Sequence, residues 1–206
     1  MKTFLITLLL SIFSLSPAYA ENTHVAQIET FFREAKTLQA QFIQTTKVNI
    51  LDRNIQRSGS IYLKQGGKLR IQYKKPYQKI YLSNGKYLWV LEPGNKSALN
   101  YSLAEGTLPK EALSFLNGLG NLRKEFQILK EEKNDETIFL SLKPKRKNAG
   151  YKQLDFLFEK DHFVQTLTIH NDSGNTSVYQ FSQWKKNGLL SDHFFEHPVN
   201  TSESQR

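Results

Sequence analysis

Ile80-Tyr81-Leu82-Ser83-Asn84-Gly85-Lys86-Tyr87-Leu88-Trp89-Val90-Leu91-Glu92-Pro93 is the stretch whose reading decides the fold. Two apolar runs rich in β-branched and aromatic residues, Ile80 to Leu82 and Tyr87 to Leu91, flank the segment Ser83-Asn84-Gly85-Lys86. An Asn-Gly pair tolerates the positive φ of a tight turn, so the stretch reads as an antiparallel hairpin. Glu92-Pro93-Gly94-Asn95 ends the second strand with a further turn.

The same period of two extends in both directions. Towards the N-terminus, Leu69, Ile71 and Tyr73 alternate with Arg70 and Gln72, Ile61 and Leu63 follow Gly59, and Leu38, Ala40 and Phe42 alternate with glutamines. Before them the period changes. Val25, Ile28, Phe31, Phe32 and Ala35 are spaced for one face of a helix, with Asn22 or Thr23 as its N-cap. Towards the C-terminus, Ala112, Leu113, Phe115 and Leu116 predict a short inserted helix, stopped by Gly118-Leu119-Gly120. Strands then resume at Phe126 to Leu129, Ile138 to Leu142, Leu154 to Phe158, Phe163 to Ile169 and Val178 to Trp184. Asp172 to Asn175 and Asn187-Gly188 are turns, His193 to Phe195 reads as a closing strand before Pro198, and the polar tail Asn200 to Arg206 as a loose end. The sum is about ten or eleven strands with two helices, and a short-turn antiparallel sheet of that length curls or closes into a barrel. The interior of such a barrel is wide enough for a ligand.

The chain opens with Met1-Lys2, an apolar run from Phe4 to Leu15, and Ala18-Tyr19-Ala20. This is the pattern of a secretory signal peptide, residues 1–20, cleaved after Ala20; an uncleaved N-terminal anchor is the other reading of the run. Residues 21–206 suit a single domain with a sizeable core. There are no cysteines, which excludes disulfides, thiolate zinc sites and a lipobox. Export without disulfides leans towards the periplasm. The net charge of +9 points to anionic partners, which for an exported chain means lipid headgroups or an acidic protein patch and no nucleic acid, or it serves solubility alone.

No catalytic constellation stands out: no G-x-S-x-G, P-loop or H-E-x-x-H motif is present, and no enzyme activity is expected. His193, Glu196 and His197 would share a face only on a helix, whereas Phe194-Phe195 before Pro198 reads as a strand end, so no metal and no cofactor is expected. Glu131-Glu132 with Asp135-Glu136 reads as a solvated loop, Asp161-His162 as a turn, and Lys143 to Lys147 as a basic loop that is either solvated or meets an acidic surface. The informative feature is apolar. The chain has 14 Phe, 9 Tyr and 2 Trp, many on alternating strand positions. A single curled sheet has no second sheet to cover its inner face, and two short helices cannot fill it, so long side chains or an apolar ligand must.

Leu38 to Thr45 (LQAQFIQT), Gly59 to Lys64 (GSIYLK), Leu69 to Pro76 (LRIQYKKP), Ile80 to Pro93 (IYLSNGKYLWVLEP), Tyr179 to Phe181, Asn187-Gly188 and Phe194 to Pro198 follow one another in an order and spacing that resemble the LolA family over almost the whole mature chain. The resemblance implies an incomplete antiparallel β-barrel with an N-terminal helix and a helical lid over a hydrophobic cavity. It also implies a function: a periplasmic chaperone takes the acyl chains of lipoproteins from an inner-membrane LolCDE-type ABC transporter and delivers them to an outer-membrane LolB-type receptor. A carrier or sensor of another lipid or glycolipid is the alternative on the same fold. A monomer is expected, since a carrier that hands off its load needs its mouth free.

Phe32, Phe42, Leu63, Leu69, Ile71, Leu88, Val90, Leu140 and Phe156 are the cavity-lining candidates. The family carries an arginine that ties the lid shut, and its position here is held by Gln65. A neutral amide binds lid carbonyls less strongly than a guanidinium fork. The lid is therefore expected to be weakly latched by Gln65, or to borrow its latch from Lys64, Lys68 or Arg70.

Overall fold

A computed structural model describes residues 24–92, 94, 119–147 and 149–197, together with the backbone of 99–102. The expected cleavage site, the N-cap candidates, the inserted helix around Leu113 and the C-terminal tail lie outside the described residues.

The N-terminal helix α1 spans His24–Glu34 and is followed by β1 (Thr37–Val48), β2 (Arg53–Lys64), β3 (Lys68–Tyr73), β4 (Ile80–Asn84), β5 (Tyr87–Leu91) and β6 (Leu99–Ser102). A short helix α2 (Leu122–Glu125) leads into β7 (Phe126–Lys133), β8 (Thr137–Pro144), β9 (Tyr151–Glu159), β10 (Val164–Asn171) and β11 (Thr176–Lys186). These eleven strands form one antiparallel sheet in the order β6-β5-β4-β3-β2-β1-β11-β10-β9-β8-β7. Its ends, β6 and β7, are not paired to each other, so the sheet curls without closing. The chain thus builds two wings that meet at the β1–β11 pairing, β2 to β6 on one side and β7 to β10 on the other.

The hairpin that decides the fold forms as read. Ser83 faces Leu88 and Tyr81 faces Val90. The Asn84 carboxamide oxygen accepts from the backbone N–H groups of Lys86 and Tyr87, 3.0 Å each. Gly85 sits at φ +91°, and a Cβ there would run into the Gly66 carbonyl of the neighbouring hairpin, so the position requires glycine.

Three expectations are corrected. His193 to Phe195 is not a strand: Asp192–Phe195 is a 3-10 turn, because Phe195 buries itself against the sheet instead of pairing at its edge. Glu131-Glu132 is not loop but the exposed second half of β7, paired to Phe139 and Leu140. Lys143-Pro144 closes β8, so the basic loop begins later than read. The first half of β2, which lacks an alternating apolar pattern, and the four-residue β6, which is too short to stand out, went unread.

Candidate functional site

Register alone assembles the inner face. Residues opposite each other in an antiparallel pair point to the same side. One row runs Leu38, Leu63, Leu69, Ser83, Leu88, and the next runs Ala40, Ile61, Ile71, Tyr81, Val90 across β1 to β5. On the other wing Tyr179, Leu167, Phe156 and Leu140 form a row. Helix α1 lies over this concavity and buries Val25 and Ile28 completely. Its rings pack onto the second wing: Phe31 meets Phe163 edge-on at 5.0 Å, and Phe32 meets Phe158 at 6.4 Å.

All nine lining candidates fall in this one cluster. Phe42, Leu69, Ile71, Leu88, Val90, Leu140 and Phe156 are buried in it, while Phe32 and Leu63 are partly buried against it. A cavity of about 220 Å³ remains at the α1 end, between Phe32, Ala35, Leu38 and Leu63, with Lys64, Gln65 and Lys68 at its rim and Leu119–Asn121 on the far side. That is smaller than the ~300–1,000 Å³ typical of ligand pockets. A long apolar ligand therefore requires α1 to shift.

The rim holds α1 by little. The Gln65 side chain donates to the Arg33 carbonyl at the C-terminal end of α1 (2.9 Å), and its backbone N–H donates to the Lys36 carbonyl. The inserted helix expected to serve as the lid lies outside the described residues, so the bond of Gln65 is to the N-terminal helix, and among the described residues the other latch candidates go elsewhere. Lys64 donates to the Leu190 carbonyl at 2.6 Å, and Lys64 and Lys68 both pair with Asp192, at 2.7 and 2.8 Å. Hydrogen bonds from these two ammonium groups pull the exposed Asp192 carboxyl down to about 2. Arg70 faces the outside of the sheet, opposite Tyr62 and Leu82. There it donates to the Phe194 carbonyl at 3.2 Å and lies 4.7 Å from the Phe194 ring centre; burial lowers its pKa.

These contacts bind a C-terminal strap, Leu190 to His197, across the outer face of β2 to β5, a feature the sequence reading missed. Phe195 is 0% exposed, Phe194 meets Tyr62 edge-on at 5.0 Å, and His197 packs on Trp89. The available signal was the unbroken apolar run in β4 and β5, which is the mark of a strand buried on both faces. His193, Glu196 and His197 do not converge: His193 pairs with Glu196 while His197 turns to Trp89.

A second unread feature is polar. On the inner face the Tyr73 hydroxyl donates to Gln44 (2.8 Å) and lies 3.3 Å from the Tyr179 hydroxyl, while Gln44 donates to Thr46, which contacts Ser177. The floor of the concavity is therefore hydrocarbon towards α1 and hydroxyl-rich towards the far end of β1.

Residues 33–198 match the family model described as "Outer membrane lipoprotein carrier protein LolA". An outer-membrane lipoprotein carrier protein of Coxiella burnetii is 30% identical over 187 residues, 90% of this chain and 88% of its own length. One from Nitrosomonas europaea is 26% identical over 200 residues, 95% of this chain and 94% of its own length. The crystal structure of a LolA-superfamily protein from Nitrosomonas europaea superposes with a TM-score of 0.52 at 14% identity, covering 84% of this chain and 96% of that one. The match spans most of the chain, both wings and the strap, and this protein belongs to the LolA family of outer membrane lipoprotein carrier proteins.

Proposed function

We propose that this chain is a periplasmic carrier that takes up the acyl chains of lipoproteins leaving the inner membrane, buries them between α1 and the sheet, and releases them to an outer-membrane receptor. Residues 1–20 act as the export signal and the rest as one carrier domain without catalytic activity. An inner-membrane LolCDE-type ABC transporter supplies the cargo and a LolB-type receptor takes it. The observation that carries this reading is the apolar concave face of an unclosed sheet, covered by a helix whose last turn accepts a neutral side-chain hydrogen bond from Gln65. A diacyl or triacyl anchor loses ~0.8 kcal/mol of favourable burial for every CH₂ left in water, so a soluble carrier must hide it and still let go. Phe32 and Leu63 receive the chains first, because they line the existing cavity, and Leu69, Ile71, Leu88 and Val90 of the neighbouring core follow as α1 shifts. Gln65 is the latch.

The hydroxyl cluster of Gln44, Tyr73 and Tyr179 favours one second reading, a carrier of a lipid with a polar head such as a glycolipid. Native mass spectrometry of protein purified from the periplasm of its own cells separates the two. A co-purifying mature lipoprotein is the expected result, and protein bearing only free lipid or glycolipid would replace the first reading by the second.

A further inference from the structure

The β1–β2 hairpin ends in a 3-10 turn, Asn49–Leu51, closed by Asp52 in the left-handed region at φ +41°. This crown is apolar and uncovered: Ile50 is 90% exposed and Leu51 56% exposed, side by side at the outermost point of the longest hairpin. Single exposed aliphatic residues need no explanation, but an adjacent pair at such a tip does. The tip is held in place because Asn49 is bonded twice to the neighbouring β10–β11 turn: its N–H donates to the Asn175 carboxamide oxygen at 3.1 Å, and its own amide donates to the Gly174 carbonyl.

The charge behind the tip is cationic. Lys47 and Arg53 flank the crown on the two strands, and both are exposed. Lys74 and Lys75 lie on the β3–β4 loop beside the part of β2 that outruns β3, where Arg57 sits over the Tyr77 ring at 3.9 Å. Against these stand Asp52 in the crown and Asp172 in the neighbouring turn. None of Lys47, Arg53, Lys74 and Lys75 is in a salt bridge among the described residues.

From this arrangement we infer that the β1–β2 crown is a membrane-docking wedge: Ile50 and Leu51 enter the interface of an anionic phospholipid surface while the flanking lysines and arginines engage its phosphates. The shape selects this occupant. A convex apolar tip with its cations set back matches a plane whose outer layer is anionic and whose interior is hydrocarbon. An acidic protein partner would instead need a socket for the two aliphatic side chains. Each Lys or Arg brought to an anionic leaflet is worth roughly fivefold in binding, fading within about a Debye length, so Lys47 and Arg53 beside the crown carry most of the electrostatic attraction, Lys74 and Lys75 add less from further back, and with the wedge they give weak, reversible docking. Docking of this kind is independent of what the concave face carries, and the inference stands whether or not the cargo reading does.

The test uses the purified protein and sedimentation with vesicles of phosphatidylethanolamine containing phosphatidylglycerol, against vesicles of phosphatidylcholine alone. Binding to the anionic vesicles, weakened by salt and reduced at least about tenfold in I50D/L51D, is the expected result, with K47E/R53E losing a similar factor. The single variant I50W reports on the contact itself: its added tryptophan fluorescence should be quenched by brominated lipid in bound protein. Circular dichroism of each variant matching the parent excludes unfolding, and the exposed tip makes that match the expectation. No binding to anionic vesicles, equal binding to phosphatidylcholine, undiminished binding by I50D/L51D, or an unquenched I50W would each overturn the proposal. So would a concentration-dependent dimer abolished by I50D/L51D without vesicle binding, which would assign the crown to a second copy of the chain.

Discussion

The two wings of the sheet solve the same problem differently. In β9, on the second wing, residues alternate: Leu154, Phe156 and Phe158 are buried inward, while Asp155 faces out into a polar network. There Gln153 and His170 each lie 2.7 Å from the Asp155 carboxylate, and Gln153 also donates to Ser141. Burial pushes that carboxyl up, but the hydrogen bonds from Gln153, Ser141 and His170 outweigh it and leave its pKa lowered. In β4, on the first wing, there is no alternation: Tyr81 is 4% exposed facing in, and Leu82 is 1% exposed facing out. The difference is the strap. Where Phe194 and Phe195 cover the outer face, the strand can be apolar throughout; where water covers it, every second residue must be polar or satisfied.

The largest expected effect breaks this comparison at the strap. Phe195→Ala should lower unfolding free energy in urea by about 3–5 kcal/mol, as expected for a fully buried ring, and expose Leu82. Leu129→Ala on β7, where the side chain is 48% exposed, should stay within about 0.5 kcal/mol. If the two variants are equally mild, the strap is not what makes the first wing two-sided.

A smaller effect lies where the wings meet. The Phe42 ring lies against Gly59, and a Cβ built at Gly59 would sit 2.5 Å from both the ring edge and the Gln72 carbonyl. Gly59→Ala should therefore cost about 1–3 kcal/mol, with the loss measured by thermal or urea unfolding. A neutral result would mean that β1 to β3 have slack there and that the joint between the wings is not tightly packed.

Helix α1 sharpens the comparison functionally. Its aromatic face belongs to the second wing, through Phe163 and Phe158, whereas its C-terminal end is tied to the first wing by Gln65. The cavity accordingly lies against the first wing. Gln65→Arg replaces a neutral hydrogen bond by a charged one and should slow release of bound acyl cargo by about tenfold, read as transfer of a fluorescent lipopeptide to acceptor vesicles. Unchanged release would remove Gln65 from the latch.

Most of the architecture was legible in the sequence because the inner face is written at a period of two. Leu38-Ala40-Phe42, Leu69-Ile71-Tyr73 and Leu154-Phe156-Phe158 each place their residues on the concave side with no help from tertiary structure. The nine lining candidates share a cluster for the same reason. What stayed hidden was the partner of each outward face. Phe194-Phe195 looks the same in sequence whether it pairs at an edge or folds over a surface. The clue lay more than a hundred residues away, in Ile80-Tyr81-Leu82, whose lack of alternation demands a cover. The fate of Lys64, Lys68 and Arg70 was hidden likewise: alternation sends Arg70 outward, but only the strap explains what it meets there.

The smallest effect concerns how the strap is fastened. Asp192 is exposed and held by Lys64 and Lys68, which lower its carboxyl from 3.8 to about 2 in the folded chain. A depressed folded-state value means that the contact stabilises the strap at every pH above the unfolded value near 3.8, and that this contribution fades as pH falls towards 2. Between pH 7 and 5 the fastening is therefore constant. Hydrogen-exchange protection of the Phe194 and Glu196 amides, which donate to Ser191 and His193, should be flat across that range and fall between about pH 4 and 2. Other carboxyls titrate in the same window, so Asp192→Asn is the reference: its protection should be lower near neutrality, and the gap to the parent should close as pH approaches 2. A gap that persists at pH 2 would mean that Asp192 fastens the strap through its shape and not its charge. The apolar seat of Phe195 would then be the whole of what distinguishes the first wing from the second.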